Sequence, residues 1–386
     1  NKEGISPENF LKGEKKYLWP MKILHISTII EWRGGDKQML TTYEILKDFP
    51  DLEQYVLAPE GSVLAEKCKE GGIPYFTASR RSKFSFPFLN KIIEIIKKEG
   101  IDLVHVHDSN ALSLSLVALR FSPKVKLVYS RKRNNRVKNN YFKRAKYNNP
   151  LITRMICVSQ AVKDVLIPVL KDPEKAEVIY DGIDVEQFSQ VQRTGAFRKD
   201  LKIGPDTVLI GNIAGLTKQK DLFTFIDAAE LILKETSQKI KFIIIGEGPL
   251  KSELQDHAIT KGISEHIIFA GFRKDIHNIL PDLDIFLISS ETEGLPLSVL
   301  EAFACKVPVV ATAAGGTGEA VKHRITGMIS PVKDPEKLAA NVKALLGNKG
   351  LQEEITVNAQ QLVLDKFSLE VMQRNYYDFY KKLKGK

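Results

Sequence analysis

The sequence predicts an α/β protein made of two doubly wound parallel domains that face each other across a cleft. Three observations lead to this. Strand-sized apolar runs alternate with helix-periodic segments along nearly the whole chain. The alternation lapses once, in the polar stretch Glu186–Asp206 with its breakers Gly195, Gly204 and Pro205, and then restarts. The 386 residues also exceed what one core holds, which favours two domains of about 170 to 190 residues.

The first domain, residues 21–190, opens with a buried strand at Met21–Ser27, a polar glycine-containing loop at Glu31–Asp36 and an apolar-periodic helix at Lys37–Lys47. Tyr55–Ala58, Tyr75–Thr77, Leu103–Val106, Lys126–Tyr129, Met155–Val158 and Ala176–Ile179 follow as strands. Helices over Phe88–Glu99 and Ser159–Leu170 are among their connections. The second domain, residues 191–367, repeats the pattern with strands at Val208–Asn212, Lys241–Ile245, Ile267–Ala270, Asp284–Ser289 and Val307–Ala311. Residues 368–386 read as a closing helix, with Tyr376, Tyr377, Phe379 and Tyr380 as packing aromatics that return to the first domain and carry no chemistry. Residues 1–20 are polar and precede the first strand, and are expected to be a leader or an added extension outside the fold.

Composition narrows the class. An apolar fraction of 43% and a charged fraction of 27% are those of an ordinary folded protein, and no apolar run has the length of a membrane span. The three cysteines are far apart and lack metal-ligand spacing, which points to a reducing compartment, the cytoplasm. The net charge is +10, and between Phe121 and Gln160 stand eleven Lys or Arg and no Asp or Glu. Such a patch favours an anionic partner, such as a membrane surface, a phosphorylated saccharide or a nucleic acid.

The densest chemistry lies in Asp284–Ala314. A strand runs into Glu291-Thr292-Glu293-Gly294-Leu295, and Pro296 is expected to open the helix that carries Leu297 and Glu301. Free amides at that helix start suit a diphosphate. A helical carboxylate can accept from a ribose diol, while one in the loop can reach a sugar hydroxyl. Period-two alternation places His105 and His107 on one face of their strand.

This segment resembles the paired-glutamate signature of the retaining glycosyltransferases of family 4, of the GT-B fold. It reads Glu293-Gly294-Leu295-Pro296-Leu297-Ser298-Val299-Leu300-Glu301-Ala302-Phe303-Ala304, followed by Pro308-Val309-Val310-Ala311-Thr312 and Gly315-Gly316-Thr317-Gly318-Glu319. The likeness extends over nearly all of Met21–Phe367. It implies a nucleoside-diphosphate sugar as donor, no cofactor and no catalytic metal, in agreement with the lack of any clustered Asp, His or Cys ligand set in the sequence.

By resemblance, Glu301 holds the nucleotide ribose, while Glu293 and His107 lie by the transferred sugar and His105 is a packed neighbour. Gly34 and Gly35 match the family's glycine pair beside the donor phosphates. Gly246-Glu247-Gly248 matches a donor-side loop, and Phe272 and Arg273 the cradle of the nucleotide base. Lys220 matches the lysine that neutralises the diphosphate, but Gly215 stands where the family carries its arginine, so Lys218 or first-domain cations must supply that charge. Lys306 replaces a common glycine.

Arg131 and Arg133 fall where relatives receive acceptors, here expected to be an anionic glycan or lipid-linked acceptor at the inner membrane face. Nucleic acid is disfavoured because no nucleic-acid-binding motif accompanies the patch. The rival readings are a GT-B sugar-nucleotide epimerase and a non-catalytic GT-B scaffold.

Overall fold

The computed structural model describes residues 20–80, 82 and 85–384. The expected extension over 1–20 lies outside the described residues except for Pro20.

Two parallel sheets organise the chain. The first contains β1 (Met21–Ile26), β2 (Leu52–Pro59), β3 (Tyr75–Ala78), β4 (Leu103–Val106), β5 (Lys126–Arg131), β6 (Ile152–Cys157) and β7 (Ala176–Val178), in the order β3-β2-β1-β4-β5-β6-β7. The second contains β8 (Val208–Ile213), β9 (Ile240–Ile245), β10 (Ile267–Gly271), β11 (Ile285–Ile288), β12 (Val309–Thr312) and β13 (Met328–Ser330), in the order β10-β9-β8-β11-β12-β13. The strands are apolar on both faces because helices cover both faces. In β1 and β4, Leu24, Ile26, Val104 and Val106 enter one core while Met21, Ile23 and Leu103 enter another. Strand order reverses at β1/β4 and again at β8/β11, the points where open parallel sheets form ligand crevices at their carboxyl ends.

Several connections differ from the sequence expectation. The first helix starts at Gly34 and runs to Leu46, so the glycine pair forms its first turn. The stretch Glu186–Asp206 is no bare linker: it holds the short helices Val185–Ser189 and Ala196–Asp200, with Phe188 and Phe197 buried in the second domain's core. Ser159–Leu170 splits into a helix at Gln160–Asp164 and a 3-10 turn at Ile167–Val169, because Pro168 cannot donate within a continuous helix. The strand Met328–Ser330, three residues long at a sheet edge, was not expected. Lys306 adopts a left-handed conformation, φ 57°, so the turn that glycine usually makes is kept at some conformational cost.

The chain crosses between domains at Gly182–Val185 and returns at Phe367–Leu369. The crossings bond to each other: Ile183 N donates to Phe367 O (2.9 Å) and Leu369 N to Ile183 O (3.1 Å). The closing helix Leu369–Lys384 then lies on the first sheet, where Met372, Tyr376, Phe379 and Tyr380 join Met21, Ile23, Leu103 and Val128. Met372→Ala should lower stability by about 2 to 5 kcal/mol, read by urea unfolding, because it opens a cavity between this helix and β1.

Candidate active site at the facing sheet edges

A cavity of about 700 Å³ lies where the two crevices meet. It brings together Gly34, Gly35, His107, Arg131 and Arg133 from the first domain with Lys220 and Glu293 from the second. Basic side chains outnumber acidic ones in its lining, the acids being Asp36, Asp108 and Glu293.

The loop after β11 presents Glu293, whose Oε1 accepts from Lys220 Nζ and from Ser290 Oγ, both at 2.6 Å. Lys220 ends a 3-10 turn, Lys218–Lys220, that leaves through Asp221 at φ 42°. Ser289 Oγ anchors that turn by donating to Lys220 O (3.1 Å) and Asp221 O (2.8 Å). Beyond Glu293 the two domains touch at glycines, through backbone at Gly294 and through a side-chain amide at Gly315. A Cβ on Gly294 would sit 2.1 Å from Lys132 O, and one on Gly315 would sit 2.2 Å from Asn134 Nδ2. The helix of Glu301 starts at Leu297, one residue later than expected: Pro296, at ψ 96°, is its cap and not its first helical residue.

On the first-domain wall, apart from its chain neighbours and its own helix backbone, no atom lies within 4 Å of where a Gly34 Cβ would be. Glycine there leaves room for a ligand beside the free amides of the helix's first turn. Asp36 follows, 3% exposed, with Ser27 Oγ donating to its Oδ1 at 2.6 Å and its Oδ2 without a partner. Burial pushes its carboxyl above the ordinary value, against the Ser27 hydrogen bond. Sequence reading overlooked Asp36, since only the folded end of β1 brings Ser27 over the helix start. Asp108 is structural: its Oδ1 caps the helix Ser109–Ala118 through Asn110 N (2.8 Å) and Ala111 N (2.9 Å), and both its oxygens accept from Thr28. Arg131 lines the cavity but is buried, with one amino group donating to Asn135 O at 2.6 Å. Arg133 is exposed and is the freer of the two to meet an acceptor. Gly215 leaves its arginine position without a side chain, and the exposed Lys218 does not line the cavity, whereas Arg33 and Lys132 do.

Beneath His107 lies a ligand-type cluster that the sequence reading had ruled out. β1 pairs with β4 so that His25 and His105 are register partners, and His25, His105 and His107 bring ring nitrogens within 4.8 Å of one another. Hydrogen bonds account for this set. His25 contacts Gln54 Oε1 (3.0 Å) and His107 Nε2 (3.1 Å), and His105 contacts Tyr380 OH (2.6 Å) and Ser130 Oγ (2.7 Å). A cation would have to break these contacts. The closing helix, expected to pack only, thus supplies the Tyr380 hydroxyl to the cluster. Burial pulls His25 down to about 4, against its Gln54 hydrogen bond. Burial likewise holds His105 and His107 well below their ordinary value, helped by the neighbouring histidines and Lys132.

Comparison with known proteins agrees with this geometry. A family model described as glycosyl transferases group 1 matches residues 194–362, and one described as glycosyltransferase family 4 matches residues 41–187. The chain is 26% identical over 333 residues to the UDP-Gal:alpha-D-GlcNAc-diphosphoundecaprenol alpha-1,3-galactosyltransferase of Escherichia coli, covering 81% of this chain and 85% of that one. It is 23% identical over 318 residues to the N-acetyl-alpha-D-glucosaminyl L-malate synthase of Bacillus anthracis, covering 79% and 82%. The crystal structure of Anabaena Alr3699/HepE in complex with UDP and glucose superposes with a TM-score of 0.82 at 20% identity, covering 94% of this chain and 100% of that one. The chain belongs to the group 1, family 4 glycosyltransferases.

The transferase has the GT-B fold, and its remaining predicted donor residues lie off the cavity lining, along the carboxyl edge of the second sheet. Glu301 is buried, with its carboxyl raised by burial although Lys37 Nζ of the first domain stands 3.7 Å away. Gly246 and Gly248 pass close to backbone, their added Cβ atoms falling 2.0 Å from Ala214 O and 2.5 Å from Leu216 O. Glu247 is exposed and pairs with Lys251 at 3.0 Å. Phe272 is exposed beside Arg273, whose guanidinium grips Asp275 through two hydrogen bonds of 2.8 and 2.6 Å. Leu295 and Leu297 pack against the core behind the loop.

The histidines give the transferase a specific acid response. The unfolded chain takes up protons near 6.5 that the folded cluster refuses, so the cluster's contribution to stability is lost as pH falls from about 6.5 towards 4. Between pH 7 and 5, His105→Gln should show a shallower loss than the parent, by up to about 1.4 kcal/mol per pH unit, in urea titrations.

Proposed function

We propose that this transferase moves a sugar, with retention and without a catalytic metal, from a nucleoside-diphosphate sugar to an anionic glycan or lipid-linked acceptor. Its setting is the synthesis of cell-envelope polysaccharide or lipopolysaccharide, in the cytoplasm at the inner membrane face. The observation that carries the reading is the Lys220–Glu293 pair facing the Gly34–Gly35 helix start across one cavity.

In this reading the diphosphate lies against the first-turn amides of Gly34 and Gly35, with Lys220 on its other side. Departure of the diphosphate concentrates negative charge, and preorganised cations stabilise it. Arg33 and Lys132, which line the cavity, supply the charge that the family's arginine would bring at Gly215. These fixed cations are also why no metal is required. Glu301 takes the ribose, Phe272 and Arg273 the base, Glu293 and His107 the sugar, and Arg133 with Arg131 the acceptor. Glu293 is a poor nucleophile because two short donors, Lys220 and Ser290, hold the same oxygen. Same-face displacement, in which the acceptor hydroxyl passes its proton to the leaving phosphate, needs no protein nucleophile. The diphosphoundecaprenol in the Escherichia coli relative's name supports a lipid-linked acceptor.

Among the described residues no helix is long and apolar enough to cross a membrane. Peripheral contact is supported by the helix Tyr141–Tyr147, where Tyr141 and Phe142 are each 80% exposed beside Lys138, Lys143 and Arg144. Aromatic side chains suit the headgroup layer, and each nearby cation adds about 1 kcal/mol at an anionic surface.

Lys220→Ala should lower kcat by about 100- to 1,000-fold in a transfer assay with the preferred nucleotide sugar, while the parent keeps its activity in EDTA. A strict need for a divalent cation, or conversion of the donor without acceptor, would replace this reading with another. Tyr141→Ser/Phe142→Ser should reduce sedimentation with phosphatidylglycerol vesicles without changing turnover of a soluble acceptor. Unchanged sedimentation would remove the membrane contact.

A further inference from the structure

His107 lies at the end of a hydrogen-bond chain that starts at a backbone carbonyl, and the chain decides where its proton sits. Gln54 Nε2 donates to Tyr43 O at 3.1 Å. A carbonyl only accepts, so the Gln54 amino group faces Tyr43 and its Oε1 faces His25. That oxygen also only accepts, so the contact of 3.0 Å requires His25 to carry its proton on Nε2. His25 is fully buried and neutral at physiological pH, which leaves its Nδ1 a bare lone pair. His107 Nε2, at 3.1 Å, must therefore donate to it. His107 is held neutral by burial and by the surrounding His105, His25 and Lys132. Its proton is thus spent inward, and Nδ1 is an acceptor.

That nitrogen is buried and has no partner, whereas both nitrogens of His25 and of His105 are engaged. His107 lines the cavity, so a ligand group that meets Nδ1 must bring a hydrogen. A phosphate or carboxylate oxygen would meet a lone pair and be repelled.

We propose that Gln54 and His25 are positioning residues that lock His107 in its Nε2–H form, so that Nδ1 accepts a hydrogen bond from a hydroxyl of the bound donor sugar. The sugar's identity as ligand rests on the transferase reading above; the tautomer does not. The chain makes the site selective in polarity: it takes an O–H donor at this point without a charged side chain having to be buried beside the sugar.

The test uses the full chain labelled with [15N]histidine. Long-range proton–nitrogen correlation near neutral pH, with His107 assigned from His107→Asn, should show His107 as the neutral Nε2–H tautomer. An Nδ1–H tautomer or a doubly protonated ring overturns the proposal. Gln54→Met, close in size but without an amide, should populate the Nδ1–H form. It should lower kcat/KM for the nucleotide sugar about tenfold, while binding of the nucleoside diphosphate alone stays within twofold. Equal weakening of both ligands, or an unchanged tautomer and rate, overturns it. If Gln54→Met fails to fold, the parent spectrum decides alone. An Nε2–H spectrum in a protein that turns over no nucleotide sugar upholds the chain and rejects the substrate reading.

Discussion

The active cavity depends on two backbones being able to touch. Gly294 lies against the carbonyl of Lys132, and Gly316 lies so close to Gly294 O that an added Cβ would be 1.9 Å away. Contacts of that length exclude any side chain. Glu293 immediately precedes Gly294, and Lys132 lies on the first-domain wall. The same contact that joins the sheets therefore sets the distance between the Lys220–Glu293 pair and the glycine helix start. With a larger residue at position 294 the walls would separate and the polar groups would face water singly.

Charge is divided within the cavity by depth. The rim carries permanent cations, among them Arg33, Arg133 and Lys143, while the floor under His107 is uncharged because burial expels protons from three neighbouring imidazoles. Lys132 reaches inward and is matched by the buried Asp181 at 3.2 Å, whose carboxyl burial pushes up in spite of that partner. In the proposed reading, a site so arranged draws an anion to its mouth by long-range attraction and reads hydroxyls deeper in by hydrogen-bond direction.

Much of this was legible in the chain because its signals are local. Parallel strands covered on both faces are continuous apolar runs, and the strand, Glu293-Gly294-Leu295-Pro296 and helix follow one another within a few residues. What stayed hidden was long-range or set by backbone detail. His25 and Gln54 look like ordinary strand residues until β1, β2 and β4 are laid side by side. Tyr380 lies 275 positions from His105, so no spacing rule joins them. Lys37 and Glu301 are on helices of different domains. The true helix start at Leu297 and the break at Pro168 depend on single dihedral angles and single missing donors, which periodicity averages away.

Glu319 shows what separation of the sheets would entail. Its carboxylate spans the gap, accepting from Gln160 N (2.8 Å), Ala161 N (2.9 Å) and the Tyr180 hydroxyl (2.8 Å). These groups are exposed or half-buried, so parting them exchanges protein hydrogen bonds for water ones at a net cost of about 1.5 to 3 kcal/mol each. A latch of this kind gives the two halves a defined resting register and still releases within thermal reach, so loading and unloading of the cleft need not wait for any covalent event.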